Sequence, residues 1–401
     1  MSTFSPQRRD SSAHERPGTW ALSGRGRWAC PPGALPALAL FAAVRLAGAA
    51  VVVTVDRLSG HSMLKGLAHT WDSVWYLHIA THGYGTRLHI SPTGTVQTDW
   101  AFFPLYPELI RASAALLPLS PAEAALLISW LASALAALGV YAIGHGFHGR
   151  AVATAMVALW AALPHSIVLS LAYTEPLFTA LAVWSLHAVL RDRWLPAGVL
   201  AGLAGLSRPN GIAAAAAVVG AAAWEVVCHR GRVSPALWAG ACLAPLGWTG
   251  YLLWVGHRTG DLLHGYFQVQ SAWQSRFDFG SGTLHFLWSL PLYDGGVVYP
   301  VALVTVAAGI LAFCLLCLDR APLPLVIYTA ALLLPVVAVS GPFESKPRFL
   351  LPAFPLLIAP ARALARAWRT RPARFLAVGA ALTAVSLCYG AYLVTFANHS
   401  P

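Results

Sequence analysis

From residue 34 onward the chain alternates long apolar stretches with short polar breaks. A spanning helix needs about 20 apolar residues, since a rise of about 1.5 Å per residue then crosses a hydrocarbon core of about 30 Å. Eleven stretches approach that length, at 34–55, 121–143, 151–168, 174–190, 195–207, 210–228, 235–256, 296–318, 322–340, 347–361 and 375–397. Because several are short, nine to twelve spans fit the pattern. Only SRPN divides 195–207 from 210–228, and its Pro209 and the following Gly211 interrupt a helix. That pair reads either as two spans or as one kinked or re-entrant unit. The expected fold is an all-α polytopic membrane protein.

The pattern divides the chain into a polar segment, 1–33, and one multi-pass membrane domain, 34–401. The first segment carries Arg8, Arg9, Arg16, Arg25 and Arg27 among Ser, Gly and Pro, with too few apolar residues for a core. We expect a disordered cytoplasmic tail, too long and polar for the start of a cleaved signal peptide, so that the first apolar segment stays as an anchor. Two polar stretches are long: 56–120, and 257–295 with its Trp, Tyr, Phe and His. Loops of this length are functional or disordered, and their aromatic content argues against disorder.

Composition supports this reading. The chain is 57% hydrophobic and only 10% charged, with a mean hydropathy of +0.62, far too apolar for a soluble domain of 401 residues. A net charge of +11 raises the question of nucleic acid, but the basic residues are dispersed between apolar segments and form no aromatic-interleaved stripe. Anionic headgroups explain the charge better. With the tail cytoplasmic and eleven spans, the cytoplasmic side receives the tail arginines with Arg150, Arg191, Arg193, Arg230, Arg232, Arg320, Arg362, Arg366, Arg369, Arg371 and Arg374. That bias sets the orientation. Both long loops, with the acids Asp72, Asp99, Glu175, Asp278 and Glu344, then lie on the extracytoplasmic face.

Of the six cysteines, Cys30 is in the tail and Cys228, Cys242, Cys314, Cys317 and Cys388 lie in or at the ends of apolar segments. No disulfide framework is expected. The CxxC of Cys314 and Cys317 lacks a second ligand pair, so it reads as apolar core packing. The outer-loop histidines show no HxH or HExxH spacing, and neither metal nor cofactor is expected.

The candidate chemistry centres on HTWDSVWYLHIATHGYG, residues 69–85. Trp71, Trp75, His78 and His82 follow one helical stripe, with Asp72 and Tyr76 on the neighbouring one, so an interfacial helix is expected. Trp and Tyr favour headgroup depth because an apolar ring carries a polar tip. An anchor helix gains nothing from an acid in its aromatic belt, which singles out Asp72. Downstream, Pro104 and Pro107 of AFFPLYPELIR fix a turn back toward the membrane, and Asp99 reads as a second acid or a solvated loop carboxylate. Ionisable groups meet the outer boundary from three further segments: Glu175 in AYTEPLF, Arg208 in LSRPNG, and Glu344, Lys346 and Arg348 in GPFESKPRFLLP. Such groups are costly at membrane depth and mark sites or ion pairs. Beside Pro347 an extended backbone would point Lys346 and Arg348 to one side, suiting a phosphate. Arg45, inside the first span, is expected to pair with a carboxylate or a lipid phosphate.

Taken in order, WDSVWYLHIATHGYG, AFFPLYPELIR, AYTEPLFTAL, GLSRPNG and KPRFLLPAFPLL resemble the GPI mannosyltransferase 2 (PIG-V) family and its bacterial relatives, in the GT-C class of polytopic glycosyltransferases. The resemblance runs from about residue 35 to 361 and leaves the tail and the 257–295 loop unmatched. It implies transfer of mannose from a polyprenyl-phosphate donor to a hydroxyl outside the cell membrane, with inversion. Asp72 matches the first-loop acid of that class and would be the general base. Arg208, Lys346 and Arg348 would hold the donor phosphate, and Trp71, Trp75, Tyr76, Tyr106 and Glu175 would contact sugar or acceptor, with membrane anchoring equally open for the tryptophans. The expected partners are the lipid-linked donor, a lipid or glycan acceptor and membrane lipids. Bacteria build no GPI precursor, so for a bacterial chain the acceptor is open. The rivals are a GT-C enzyme with another sugar or a protein acceptor, and a lipid-linked sugar transporter. Transporters favour related halves and midplane charges, and neither is evident here.

Overall fold

The computed structural model describes residues 31–60, 65–91, 94–289 and 296–397. The predicted tail lies almost wholly outside the described residues, as does Cys30. The rest is helical apart from one short hairpin, an all-α polytopic architecture.

All eleven apolar stretches contain helix, but their lengths differ from expectation. Among the described residues six helices are long and apolar enough to cross a membrane, or seven if the bent pair Phe343–Leu350 and Phe354–Thr370 is one span. Helix α1 (Ala34–Leu58) leads into the first long loop. That loop contains α2 (Lys65–Ala68), α3 (Asp72–His82), the antiparallel strands β1 (Leu88–Ile90) and β2 (Val96–Thr98), and α4 (Leu105–Leu116). The hairpin went unread because its strands are only three residues long.

Two expected spans, 121–143 and 151–168, fall in α5 (Pro121–Ala161), two helical stretches that meet at a kink at Gly149, whose φ of 77° suits glycine. A capping box from Ser120 and Glu123 starts it. Helices α6 (Glu175–Val189) and α7 (Trp194–Gly205) are 15 and 12 residues long, short of a full crossing. A 3-10 turn over Pro209–Gly211 separates α7 from α8 (Ile212–Cys228). Helices α9 (Pro235–Leu243) and α10 (Leu246–Thr259) form one apolar unit, Pro235–Thr259. The second long loop follows, with α11 (Gly265–Ala272) and α12 (Ser281–Ser289). Then come α13 (Val298–Leu318), α14 (Leu323–Ala338), 3-10 turns at Phe343–Leu350 and Phe354–Leu357, α15 (Ile358–Thr370) and α16 (Pro372–Thr395).

Apolar area and close packing hold the bundle. The main core joins α5, α6, α7, α8 and α14 through residues such as Trp160, Phe178, Val218 and Tyr328. Small residues bring α7 against α9 and α10: a Cβ on Gly198 would lie 2.2 Å from the Gly240 carbonyl oxygen, and one on Gly247 would lie 1.8 Å from that of Gly202. Only glycine permits such an approach. Helix α7 ends at Gly205, and Arg208 follows in extended backbone ahead of Pro209.

Buried Arg45 corrects the expectation of a carboxylate or lipid partner. Its guanidinium donates to the Ala161 and Ser166 carbonyls. Ala161 closes α5, where carbonyls lack helical partners, and Ser166 opens the 3-10 turn that follows, so the arginine ties the two together. Cys314 and Cys317 are likewise exposed on α13 rather than packed in the core.

Candidate active site

The five motifs converge at one end of the bundle. Leu105 donates its amide to the Leu206 carbonyl at 2.9 Å, tying AFFPLYPELIR to LSRPNG. Ala172 donates to the Leu67 carbonyl at 2.9 Å, tying AYTEPLF to the first loop. The Trp160 indole donates to Leu351 and the Tyr328 hydroxyl to Pro352, at 2.9 and 3.0 Å, which seats KPRFLLP on the core.

Four charged side chains meet where these segments join. Asp72 opens α3 just after Trp71, a non-glycine residue at a φ of 52°. Strain of this kind is kept where the surroundings over-determine it, and here it sets the direction of the helix that begins with Asp72. Arg348 Nη1 lies 2.9 Å from Asp72 Oδ2, and Arg208 Nη1 lies 2.8 Å from Glu175 Oε1. Arg348 Nε stands 3.9 Å from the same Glu175 oxygen and links the two pairs. Two acids and two arginines make the cluster neutral. The Glu175 and Arg208 side chains are 1% and 7% exposed and the Arg348 side chain 10%, whereas that of Asp72 is 24% exposed. The acid therefore sits at the opening and the others behind it.

Burial at this depth is costly unless the charges are paired and hydrogen-bonded. Both short contacts are ionic, yet neither arginine Nη1 has an aligned hydrogen-bond acceptor; nor does either Nε, and Glu175 Oε2 lacks a donor. Buried donors of this kind call for an explanation. Their charge and planar fork suit a phosphate or carboxylate ligand.

Aromatic side chains surround the four charges. The Tyr76 hydroxyl is 3.3 Å from Thr174 Oγ1, and burial, aided by the Asp72 charge, raises its pKa so that it stays a neutral hydroxyl. Tyr173 places its ring centroid 5.6 Å from the Arg348 guanidinium carbon. Sequence reasoning passed over Tyr173 although it stands two residues before Glu175.

The other expected site residues divide. Trp71 is partly exposed beside Asp72. Trp75 is buried, stacked on Phe102 at 5.5 Å and edge-on to Trp273 at 5.0 Å, with the Arg87 guanidinium 4.7 Å from its centroid. Its ring packs the first long loop against the second and does not face lipid. Tyr106 is buried behind Tyr76, its hydroxyl donating to the Ala125 carbonyl at 2.9 Å and 2.7 Å from Ser129 Oγ. Lys346 donates to Thr283 Oγ1 at 2.6 Å and to the Val339 carbonyl at 3.0 Å, pinning the second loop. The expected extended backbone is a 3-10 turn over Phe343–Leu350, and with about three residues per turn positions two apart diverge. Lys346 and Arg348 accordingly reach different partners. Asp99 is buried, accepting the Gly85 amide at 2.9 Å and the Thr86 amide at 3.3 Å, a structural clasp and not a solvated acid. Among the described residues no group of three or more His, Cys, Asp or Glu is arranged to hold a metal ion.

No protein-family model matches the sequence, and no curated protein is similar enough to count as a relative. Solved structures do resemble the fold. ArnT from Cupriavidus metallidurans bound to undecaprenyl phosphate aligns with a TM-score of 0.53 at 17% identity, over 90% of this chain and 66% of that one. The same protein in the apo state gives 0.50 at 15% identity, over 81% and 60%. The apo oligosaccharyltransferase of Archaeoglobus fulgidus gives 0.50 at 15% identity, over 90% and 56%. This chain thus spans between about half and two thirds of these neighbours' lengths, and what it shares with them is the fold, an all-α polytopic architecture.

Proposed function

We propose that the protein is a membrane glycosyltransferase that moves a sugar from a polyprenyl-phosphate donor to an acceptor hydroxyl at the extracytoplasmic face. The observation that carries this reading is the 2.9 Å contact of a half-open acid, Asp72, with a buried arginine, Arg348, backed by the Glu175 and Arg208 pair. An acid beside unspent guanidinium donors supplies what the reaction needs at its two ends. Asp72 takes the proton of the attacking hydroxyl as general base. The hydroxyl oxygen bonds to the anomeric carbon, the bond from that carbon to the phosphate oxygen breaks, and its electron pair stays on the phosphate. Arg348 and Arg208 neutralise that charge, so no acid is required for the leaving group. Attack from the face opposite the phosphate inverts the anomeric centre.

The likeness in fold to a protein solved with undecaprenyl phosphate supports the lipid-phosphate donor. Mannose is the sugar we assign, from the resemblance of the five motifs to the GPI mannosyltransferase 2 family. The same four charges serve another hexose or a pentose equally, since the phosphate is common to all. Tyr76, Tyr173 and Trp71 are the side chains nearest Asp72 for contact with the sugar or acceptor. Trp75 and Tyr106 keep the loop in shape, and Lys346 holds the second loop over the site. The basic tail and the arginines between spans favour a cytoplasmic N-terminus in the cell membrane, with the site outside.

The test is transfer of radiolabelled mannose from polyprenyl-phosphate mannose into membrane lipids and glycans by the purified protein in vesicles. Label in a new product supports the reading and identifies the acceptor. Absence of label, with transfer from another polyprenyl-phosphate sugar, moves the sugar assignment only; absence with every such donor overturns the reading.

A further inference from the structure

We propose that Arg348 is a donor-operated latch on Asp72, held ready by Glu175. The inference rests on the polyprenyl-phosphate reading and adds an order of events to it. Arg348 Nη1 stands 2.9 Å from Asp72 Oδ2, against the carboxylate that must take up the proton. While that contact stands, the guanidinium covers Oδ2, a carboxylate oxygen that the incoming hydroxyl must reach. The resting site is therefore switched off at its own catalytic acid.

The geometry also supplies the release. Arg348 already faces a second carboxylate, Glu175, through its Nε at 3.9 Å. Glu175 is buried and fixed by Arg208 at 2.8 Å, so its position does not depend on Arg348. A small displacement of the guanidinium away from Asp72 leaves it neutralised by Glu175, which removes most of the cost of breaking a buried pair. A phosphate entering beside Arg348 and Arg208 meets donors without aligned acceptors and can bind in a fork, drawing Arg348 off Asp72. A ligand shifts such an equilibrium only through its preference for one state, and the phosphate contacts only the released one. The hydroxyl proton is then taken up only after the lipid phosphate is seated. Glu175 acts as a positioning residue, and donor binding precedes proton transfer.

The latch is read directly from the reactivity of Asp72. The full-length protein in nanodiscs is treated with a water-soluble carbodiimide, and modification of the peptide containing Asp72 is quantified by mass spectrometry, alone and with undecaprenyl phosphate or undecaprenol. Binding of each lipid is followed in the same samples by thermal shift. The latch predicts a rise of about tenfold with undecaprenyl phosphate and none with undecaprenol. Arg348→Gln should give the high level without any lipid. If undecaprenyl phosphate binds and Asp72 labelling stays level or falls, the latch is wrong while the donor reading stands, since an acceptor must reach that carboxylate with the phosphate in place. If undecaprenyl phosphate produces no thermal shift, the donor reading fails and the latch with it. The wild-type comparison decides between these outcomes even where the Arg348 variant fails to fold.

Discussion

Arg348 holds Asp72 at 2.9 Å with one guanidinium nitrogen while another stands 3.9 Å from Glu175, so a single arginine joins the acid at the opening to the acid at the floor. Lysine at this position offers a point charge and cannot face both carboxylates with a planar fork. Arg348→Lys should therefore fold, yet use the lipid-phosphate donor with a KM raised by about tenfold or more, the loss of one charge-assisted contact. Steady-state kinetics against donor concentration checks this. An unchanged donor dependence would separate Arg348 from the phosphate.

The Glu175 and Arg208 pair makes a sharper statement about stability. Removing one partner of a buried pair strands the other, which costs about 3–5 kcal/mol, whereas replacing both with apolar groups is close to neutral. Glu175→Leu and Arg208→Met should each lower the thermal midpoint markedly, and the double variant should recover much of that loss while remaining inactive. Non-additivity of this kind identifies the contact. Additive losses with retained activity would show that the two residues neither touch nor take part in the reaction.

Asp99 is the contrasting acid. Its buried carboxylate accepts the Gly85 and Thr86 amides of an exposed turn, away from the four-charge cluster. Asp99→Ala should destabilise the loop by about 1 kcal/mol, the net worth of the hydrogen bonds lost from a turn whose amides water can reach. Turnover per folded molecule should stay near wild type, measured on the fraction surviving size-exclusion chromatography. A well-folded Asp99→Ala protein without turnover would return Asp99 to the chemistry.

How much of this was legible in the chain depended on whether a residue's local context already carried its cost. Asp72, Glu175, Arg208 and Arg348 stand out because ionisable groups amid apolar neighbours are expensive and rarely idle. Their pairing is not local: Asp72 and Arg348 lie in different loops, and only the folded bundle decides which acid meets which cation. Asp99 sits in a polar stretch whose composition gives no hint of burial. The stripe containing Trp75 reads equally as membrane anchor or as sugar contact, and the second loop supplies Phe102's neighbour Trp273 as the actual partner. The backbone through Pro347 turns where the sequence suggests extension, so Lys346 and Arg348 reach different partners. Arg45 meets backbone carbonyls, acceptors that no side-chain inventory lists.

The glycine contact under Arg208 can be tested apart from the chemistry. A Cβ on Gly247 would overlap the Gly202 carbonyl oxygen, so Gly247→Val should push α10 from α7 and cost about 1–3 kcal/mol as an overpacked contact. Because Arg208 follows α7, donor use should weaken with stability. Unaltered thermal stability of Gly247→Val would show that the two helices do not approach as closely as described.

The central claim is that Asp72 accepts the proton of the incoming hydroxyl. Its most direct test is single-turnover transfer from polyprenyl-phosphate mannose by Asp72→Asn and wild-type protein at matched folded concentration, with undecaprenyl phosphate binding measured alongside. Loss of a general base lowers turnover by a factor on the order of 10² or more. We expect Asp72→Asn to fall by that factor while it still binds the lipid phosphate. An Asn variant that binds the lipid and transfers at the wild-type rate would contradict the account.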